Sequence, residues 1–264
     1  MIKQILKYLP FALLLAIAIA AIVYTQKQQK EAVCKQISIS IDSDSVGNQL
    51  LVDEDVLQIL AKHNDTVGKK IQDFDLLQIE RRVRENSFVY TAQSYFDMHN
   101  TLHIRITQRV PFVRIMAKTN DDYYIDTAGW LLPLSAHFAP RVLVASGEIA
   151  EAYKKNHNLF AKAENDTLPA KHTILHDIVF LNRAIAADPL LQAAIEQIYV
   201  LENNEMYLIS KIGPPQIIFG SIDNYRQKLQ NLKAFYQSQK SQENWNKYKA
   251  INIKYSNQVV AIEK

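Results

Sequence analysis

Few residues of this chain have the types and spacing that catalysis or metal binding requires. His172 and His176 lie four positions apart, which would place both rings on one face of a helix, as in some zinc sites. The intervening "TIL" supplies no glutamate, and Asp177 adjoins the pair rather than opposing it. His99 and His103 flank a predicted turn and are interpreted as exposed polar residues. No metal site is therefore predicted.

The signals for covalent or phosphate chemistry are equally weak. Cys34 is the single cysteine and has no evident histidine partner, and Ser146-Gly147 is only a fragment of a nucleophile elbow. The 30 Lys and Arg residues are interspersed with 27 Asp and Glu, a pattern typical of a solvated surface rather than a nucleic-acid site. The six glycines are scattered and form no phosphate-binding loop, at positions 47, 68, 129, 147, 213 and 220. We expect a binding protein without cofactor, nucleic acid or small-molecule substrate.

The N-terminal segment is the strongest compositional feature. Between Ile5 and Tyr24 the only charge is Lys7, and twenty helical residues span the hydrocarbon layer of a membrane. The "AIA" at 18–20 leaves a cleaved signal peptide open, although the apolar run continues beyond it and favours an uncleaved anchor. The interpretation is a cytoplasmic tail at 1–4, a transmembrane helix at 5–24 and a polar stalk at 25–36. Because the N-terminal side is so short, the bulk of the chain is expected outside the cytoplasm.

The next seventy residues predict a small two-layer domain. Alternation from Ile37 to Ile41 predicts a strand, and "VDEDVLQILAKHN" predicts a helix with Asp53 as its cap. A second helix is signalled by Asp75 followed three positions later by Gln78, which resembles a capping box. Two further alternating runs, 89–97 and 101–109, predict a hairpin. The order strand, helix, helix, strand, strand indicates an α+β unit at 37–109.

A second domain is predicted at 110–264. Pro111 cannot donate to a strand ladder, so it is interpreted as a seam between two units. Beyond it, short strands and turns alternate with a polar surface insertion at 148–172, a helix broken at Pro189 and a long helix capped by Ser221. The chain ends in a predicted hairpin that turns at Ser256-Asn257. These signals predict a mostly antiparallel sheet with packed helices.

Four short motifs occur in a specific order along the second domain. They are "QRVPFVRI", "YYIDTAGWLLPLS", "IIFG" and "INIKYSNQVVAI". With the anchor and the βααββ unit, they resemble the FtsQ/DivIB family of bacterial cell-division proteins over residues 1–262, apart from the insertion. The βααββ unit itself resembles a POTRA domain.

The resemblance assigns structural roles at the start of the second domain. Arg109 and Pro111 would belong to the connection between the POTRA-like and FtsQ-type β domains. Asp126 and Gly129 in "YIDTAG" would form a turn, the aspartate through side-chain-to-backbone bonds and the glycine through positive φ.

The resemblance also implies a function without catalysis. The chain would be a single-pass inner-membrane scaffold of the divisome at the septum, recruiting FtsB- and FtsL-type partners and helping to regulate septal peptidoglycan synthesis. The last strand would lie at a sheet edge and receive a strand of the partner. The expected partner-binding residues are Lys254, Tyr255, Ser256, Asn257 and Val259. Tyr255 would be the aromatic anchor, unless it packs in the core, and Lys254 would pair with an acidic residue.

Other surfaces and other classes of protein remain open. The POTRA-like domain would offer a second surface to other division proteins. An envelope protein-assembly or secretion factor would also use POTRA domains, normally several in series before a barrel. A membrane-anchored extracytoplasmic hydrolase would require a cleft with convergent polar groups.

Overall fold

A computed structural model describes most of the chain after the N-terminal segment. The described residues are 15–17, 19, 32–42, 49–161, 172–238, 247–255 and 258–264. Of the predicted membrane anchor at 5–24 only residues 15–17 and 19 are described, and of the stalk at 25–36 only residues 32–36. Among the described residues, no helix combines the length and hydropathy needed to cross a membrane. The chain divides into two compact units, Met1–Gln108 and Arg109–Lys264.

The first unit has the predicted βααββ order. Its elements are β1 (Gln36–Asp42), α1 (Asp53–Ala61), a 3-10 turn (Ile71–Asp73), α2 (Leu76–Arg84), β2 (Val89–Phe96) and β3 (Thr101–Gln108). The sheet order is β1-β3-β2, with β1 parallel and β2 antiparallel to β3. The apolar faces of both helices share one core with the alternating residues of the central strand β3. The mixed α+β prediction is confirmed for this unit.

Local sequence explains where the helices of the first unit begin. Asp75 caps α2 by accepting a hydrogen bond from the Gln78 backbone N–H at 3.0 Å, as the capping pattern predicts. Asp53 does not cap α1, because the helix begins with it and Val52 is the N-cap residue. The Asp55 carboxylate accepts from the Val52 N–H instead. The acidic residues in this first turn stabilise the helix by interacting with the positive end of its dipole.

The second unit is a nine-stranded sheet with helices. Its elements are β4 (Pro111–Met116), β5 (Asp122–Asp126), β6 (Leu131–Pro133), β7 (Leu143–Gly147), α3 (Ile174–Ala186), α4 (Pro189–Ala194), β8 (Ile195–Val200), β9 (Met206–Ser210), β10 (Gln216–Gly220), α5 (Tyr225–Ser238), β11 (Tyr248–Asn252) and β12 (Val260–Glu263). The sheet order is β12-β11-β10-β9-β8-β7-β4-β5-β6. The pairs β4–β7, β7–β8 and β10–β11 are parallel, and the other neighbours are antiparallel.

The parallel pairs explain where the helices lie. Parallel neighbours need a crossover connection, which α3 and α4 supply between β7 and β8, and α5 supplies between β10 and β11. The helices bury their apolar faces against one face of the sheet, in a core that includes Ile178, Leu232, Ile198 and Ile217. The other face of the sheet is buried at β5 and β6, where Tyr124 and Leu132 are 2% and 1% exposed, but it is more exposed towards β12, where Val260 is 42% exposed.

Two local expectations differ from the structure. Helix α5 begins at Tyr225, and Ser221 is not its cap, because the Ser221 hydroxyl donates to the Asp223 carboxylate at 2.8 Å. The insertion predicted as surface at 148–172 is partly built into the unit, since Leu159 is buried in the main core. Residues 162–171 of that insertion lie outside the described residues.

Candidate partner-binding edge

One of the two edges of the nine-stranded sheet is partly covered by the chain itself. The Leu131 N–H of β6 donates to the His157 carbonyl at 3.0 Å, and the Leu159 N–H donates to the Gly129 carbonyl at 2.9 Å. Trp130 and Asn158 form an antiparallel bridge between these two bonds. Residues 157–159 therefore pair with residues 129–131, which are the first residue of β6 and the turn before it, so this part of the edge is occupied.

His176 on α3 holds this covering segment in place. Its Nε2 donates to the Leu159 carbonyl at 3.0 Å, while its Nδ1 accepts from the Thr173 N–H at 3.1 Å. The two bonds require the neutral ring with its proton on Nε2. His172 stacks on His176 and bonds Asp177 at 2.6 Å. The two predicted histidines thus have structural partners, and in the described part of the chain no cluster of three or more His, Cys, Asp or Glu could hold a metal.

The opposite edge of the sheet is β12. This strand pairs with β11 on one side, and no further strand among the described residues pairs with its outer side. Val260 and Ile262 remain 42% and 37% exposed. An edge of this kind presents backbone donors and acceptors together with apolar side chains, which is what strand addition requires.

A mixed row of side chains, in which Tyr199, Tyr207, Ile218 and Val260 supply the aromatic and aliphatic surface, leads across the sheet face without helices to this edge. Strand register aligns, on successive strands, Ser146, Tyr199, Tyr207, Ile218, Asn252 and Val260. The adjacent row, Ile198, Leu208, Ile217, Ile251 and Ala261, points to the helices, and its isoleucines and leucine are fully buried. Because successive residues alternate between faces, the row that contains Tyr199 and Tyr207 lies on the face without helices.

Three of the expected partner-binding residues, Lys254, Tyr255 and Val259, lie in the described parts of the segment between β11 and β12. Tyr255 is 57% exposed and does not pack in the core. The Lys254 Nζ lies 2.5 Å from the Glu205 carboxylate, and this hydrogen bond raises the pKa of Lys254 and lowers that of Glu205. Val259 is partly buried against the core, whereas Ser256 and Asn257 lie outside the described residues. An acidic partner residue would have to compete with Glu205 for Lys254.

A cavity of about 420 Å³ lies beside Tyr255. Its lining consists of Ser221, Asp223, Asn224, Lys228, Lys254, Tyr255 and Gln258. Lys228 is only 3% exposed, and its ammonium donates to the Ser221 carbonyl at 2.8 Å. Burial lowers the pKa of Lys228. No sequence signal marked this lysine, because Lys254, Tyr255 and Gln258, which share the cavity with it, lie far along the chain between β11 and β12.

The residues expected at the start of the second domain form one buried turn cluster. The Asp126 Oδ1 accepts from the N–H groups of Ala128 and Trp130, at 2.9 and 2.8 Å. Its Oδ2 accepts from the Arg109 guanidinium at 3.0 Å. That guanidinium also lies 4.5 Å from the centre of the Trp130 ring. Both oxygens of this carboxylate accept hydrogen bonds from the turn and from Arg109, so it is not arranged as a free catalytic base.

Two more residues complete the cluster. Pro111 is the first residue of β4 and pairs with Asp126 across the β4–β5 ladder. Gly129 has φ of +88°, and an added Cβ would overlap the Phe160 ring. A side chain is thus excluded at this position both by backbone conformation and by space.

Comparisons with known proteins agree with this architecture. A family model described as FtsQ/DivIB, C-terminal related, matches residues 110–262, which is more than half of the chain. A model described as a POTRA-like domain matches residues 32–107. A search of curated proteins found no match.

Proposed function

The chain belongs to the FtsQ/DivIB C-terminal related family, and from this membership we propose that it is a non-enzymatic scaffold of the bacterial divisome. The apolar segment at 5–24 anchors it in the inner membrane with the N-terminus in the cytoplasm. Both units then lie on the extracytoplasmic side at the septum. The protein recruits partners that regulate septal peptidoglycan synthesis, and it makes or breaks no bond itself.

The open edge of β12 is the observation that carries this proposal. An FtsB-type partner, paired with its FtsL-type companion, adds an extended segment to this strand by main-chain hydrogen bonds. The contrast with β6 supports the choice of edge, because residues 157–159 already pair with the start of that strand. The exposed side chains of Val260 and Ile262 give the added segment apolar contacts on the face of the sheet without helices.

Tyr255 is proposed as the anchor of this interface. It is exposed, it lines a cavity, and tyrosine is among the residues that most often dominate binding energy. Next to Tyr255 in the chain, Lys254 forms an ion pair with Glu205, so the two side chains place one positive and one negative charge at this site. The POTRA-like unit provides a second surface, for other division proteins.

The test measures binding of the full chain, reconstituted in vesicles, to the organism's FtsB-type and FtsL-type partners. Tyr255→Ala is expected to weaken binding at least tenfold, which corresponds to about 1.4 kcal/mol. Tyr90→Ala is the matched control, because Tyr90 is 59% exposed but lies in the first unit. A change at Tyr255 that equals the change at Tyr90 would contradict the assignment of the edge.

The charge of the site is tested separately. Lys254→Glu alone would also set two carboxylates against each other, because Glu205 is already in contact. The pair Lys254→Glu with Glu205→Lys keeps the intrachain attraction and swaps the two charges. Failure of the unmodified chain to bind either partner would remove the divisome proposal altogether.

A further inference from the structure

One end of the first unit is defined by the start of β1 and by the turn between β2 and β3. Strand register places Gln36, the first residue of β1, opposite Thr101, the first residue of β3. The β2–β3 turn, residues 97–100, therefore lies at the same end. The Lys35 N–H donates to the last carbonyl of this turn at 3.0 Å, so the residue before β1 lies against the turn. The chain thus enters the first unit at this end, coming from the apolar segment at 5–24.

A loop of the first unit, residues 66–70, lies at this end as well. The Cys34 N–H donates to the Lys69 carbonyl at 2.9 Å, and the Cys34 carbonyl accepts from the Gly68 N–H at 2.8 Å. The preceding residue, Val33, forms an antiparallel bridge with the end of the loop. The loop and the β2–β3 turn are thus both held by the residues through which the chain enters the unit.

Three apolar side chains at this end are exposed to solvent. Met98 in the turn is 96% exposed, Val67 in the loop is 55% exposed, and Val33 is 39% exposed. Single exposed apolar residues are ordinary on a protein surface. Here they come from three separate segments that the backbone hydrogen bonds bring to one end, and together they form an apolar tip.

The charges around this apolar tip have both signs. Lys35 and Lys70 are exposed, as is Asp73 just after the loop. Net charge therefore gives this end no preference for a strongly anionic surface, and the apolar side chains must provide the contact. Lysines suit the edge of such a contact, because their stems cover apolar surface while their ammonium groups stay in water.

The covalent chain limits how far the apolar tip can lie from the apolar segment. Tyr24 and Ala32 are separated by eight peptide units, and a fully extended chain spans at most ~28 Å over that length. A surface that is tethered so closely meets its partner at a high effective concentration. A few apolar contacts are then enough to hold it there.

We propose that the apolar tip lies against the surface of the phospholipid bilayer, with Met98 and Val67 inserted at the level of the headgroups. The tip projects from a turn and a loop, which suits a deformable lipid surface better than the closely packed interface of a protein partner. The contact would also orient the unit, because β3 begins at the tip and leads away from the bilayer. The inference rests on the proposed function in one respect, since it requires the segment at 5–24 to be the membrane anchor.

The first experiment uses the full chain in phosphatidylcholine vesicles that contain a phospholipid with a diazirine near the glycerol end of one acyl chain. After photolysis, the lipid-bearing peptides are mapped by mass spectrometry, and we expect label at 5–24, 66–70 and 97–100. The double variant Val67→Asp with Met98→Asp should lower the label at the loop and the turn at least fivefold. It should leave the label at the anchor unchanged.

Tyr90→Asp is the matched control for this variant. Tyr90 is 59% exposed, but it lies at the opposite end of β2 from the turn, so all labelling should persist. Label at 5–24 without label at the loop and the turn, or an equal loss in the control, would overturn this inference and leave the proposed function intact. Absence of label at 5–24 would contradict the anchor, on which both proposals depend.

A second measurement excludes any effect of the substitutions on folding. Photo-methionine, which carries a diazirine in its side chain, replaces methionine during expression, and the cross-links of each position are identified. A phospholipid adduct is expected at Met98, whereas Met206 is fully buried and should cross-link only within the chain. A cross-link from Met98 to a second copy of the chain or to an added FtsB-type partner, without a phospholipid adduct, would overturn the proposal in favour of a protein contact.

Discussion

At the scale of single residues, Asp126 shows how a conspicuous carboxylate can be entirely structural. It accepts two backbone hydrogen bonds and one from Arg109 in a buried turn. A buried carboxylate with three donors holds its neighbours in one conformation. Its charge is matched by Arg109, so removal of either partner leaves the other buried without compensation.

This arrangement predicts a large loss of stability for Asp126→Ala. We expect the free energy of unfolding of the second unit to fall by about 3 kcal/mol, because a buried arginine and two backbone donors lose their acceptor. Glu148→Ala is the control, since its pair with Lys118 is largely exposed to solvent and should contribute much less to stability. Urea unfolding followed by hydrogen exchange at residues 109–131 separates the two. Equal losses of unfolding free energy in the two variants would show that the hydrogen bonds of Asp126 contribute no special stability.

The sequence revealed some of these residues and concealed others for a physical reason. "YIDTAG" marks its own turn, because an aspartate and a glycine three positions apart meet through local backbone bonds. The Lys254–Glu205 contact and the buried Lys228 join residues that are distant along the chain. Local patterns contain no information on such pairs.

At the scale of elements, the protein closes some strand edges and leaves others open. In the first unit, the Glu80 carboxylate of α2 accepts a hydrogen bond from the Ser94 N–H of β2 at 2.7 Å, which occupies a donor of that edge strand. In the second unit, residues 157–159 pair with the start of β6 and the turn before it. Since covered edges resist unwanted strand pairing, the uncovered edge of β12 is the better candidate for binding a partner strand.

Asn158 is expected to stabilise the cover of β6. Its side chain donates to the Ala128 carbonyl and accepts from the Phe160 N–H, at 3.1 and 2.7 Å. Asn158→Ala should therefore lower the free energy of unfolding by about 1–2 kcal/mol and speed hydrogen exchange of the Leu131 N–H.

The matched control for this prediction is Asn203→Ala. The Asn203 carbonyl oxygen makes a similar bond to the Glu205 N–H, in the turn between β8 and β9. That change should leave the exchange at Leu131 unaltered. Unchanged exchange in the Asn158 variant would mean that the cover is held by Leu159 and His176 alone.

The order of the helices and strands could be predicted from the sequence, but the parallel or antiparallel direction of the paired strands could not. Alternation and turn residues located most strands and the break at Pro189, because those signals are local. A parallel and an antiparallel strand alternate in the same way, so the pairs β7–β8 and β10–β11 could not be inferred. Likewise, Leu159 is one apolar residue in a polar stretch, and only its neighbours in space make it part of the core.

At the scale of the whole molecule, the two units have separate cores. The core of the first unit and the core of the second have no residue in common. The contacts divide the chain between Gln108 and Arg109. A destabilising substitution in the core of one unit is thus expected to lower the stability of that unit and not of the other.

Two matched substitutions test this independence in the full chain. Ile104→Ala in β3 and Ile198→Ala in β8 each remove a buried side chain from a central strand, and each should cost about 2–5 kcal/mol. Hydrogen exchange is expected to accelerate only in the unit that carries the change. Acceleration in both units after either change would show that they unfold as one cooperative body.

The single cysteine has a practical consequence for such experiments. Cys34 is buried in the core of the first unit, and its thiol donates to the Gln36 carbonyl. An alkylating reagent can reach that sulfur only after the surrounding structure opens. The rate at which Cys34 is alkylated therefore reports how often the first unit opens, and it gives no information on the second unit.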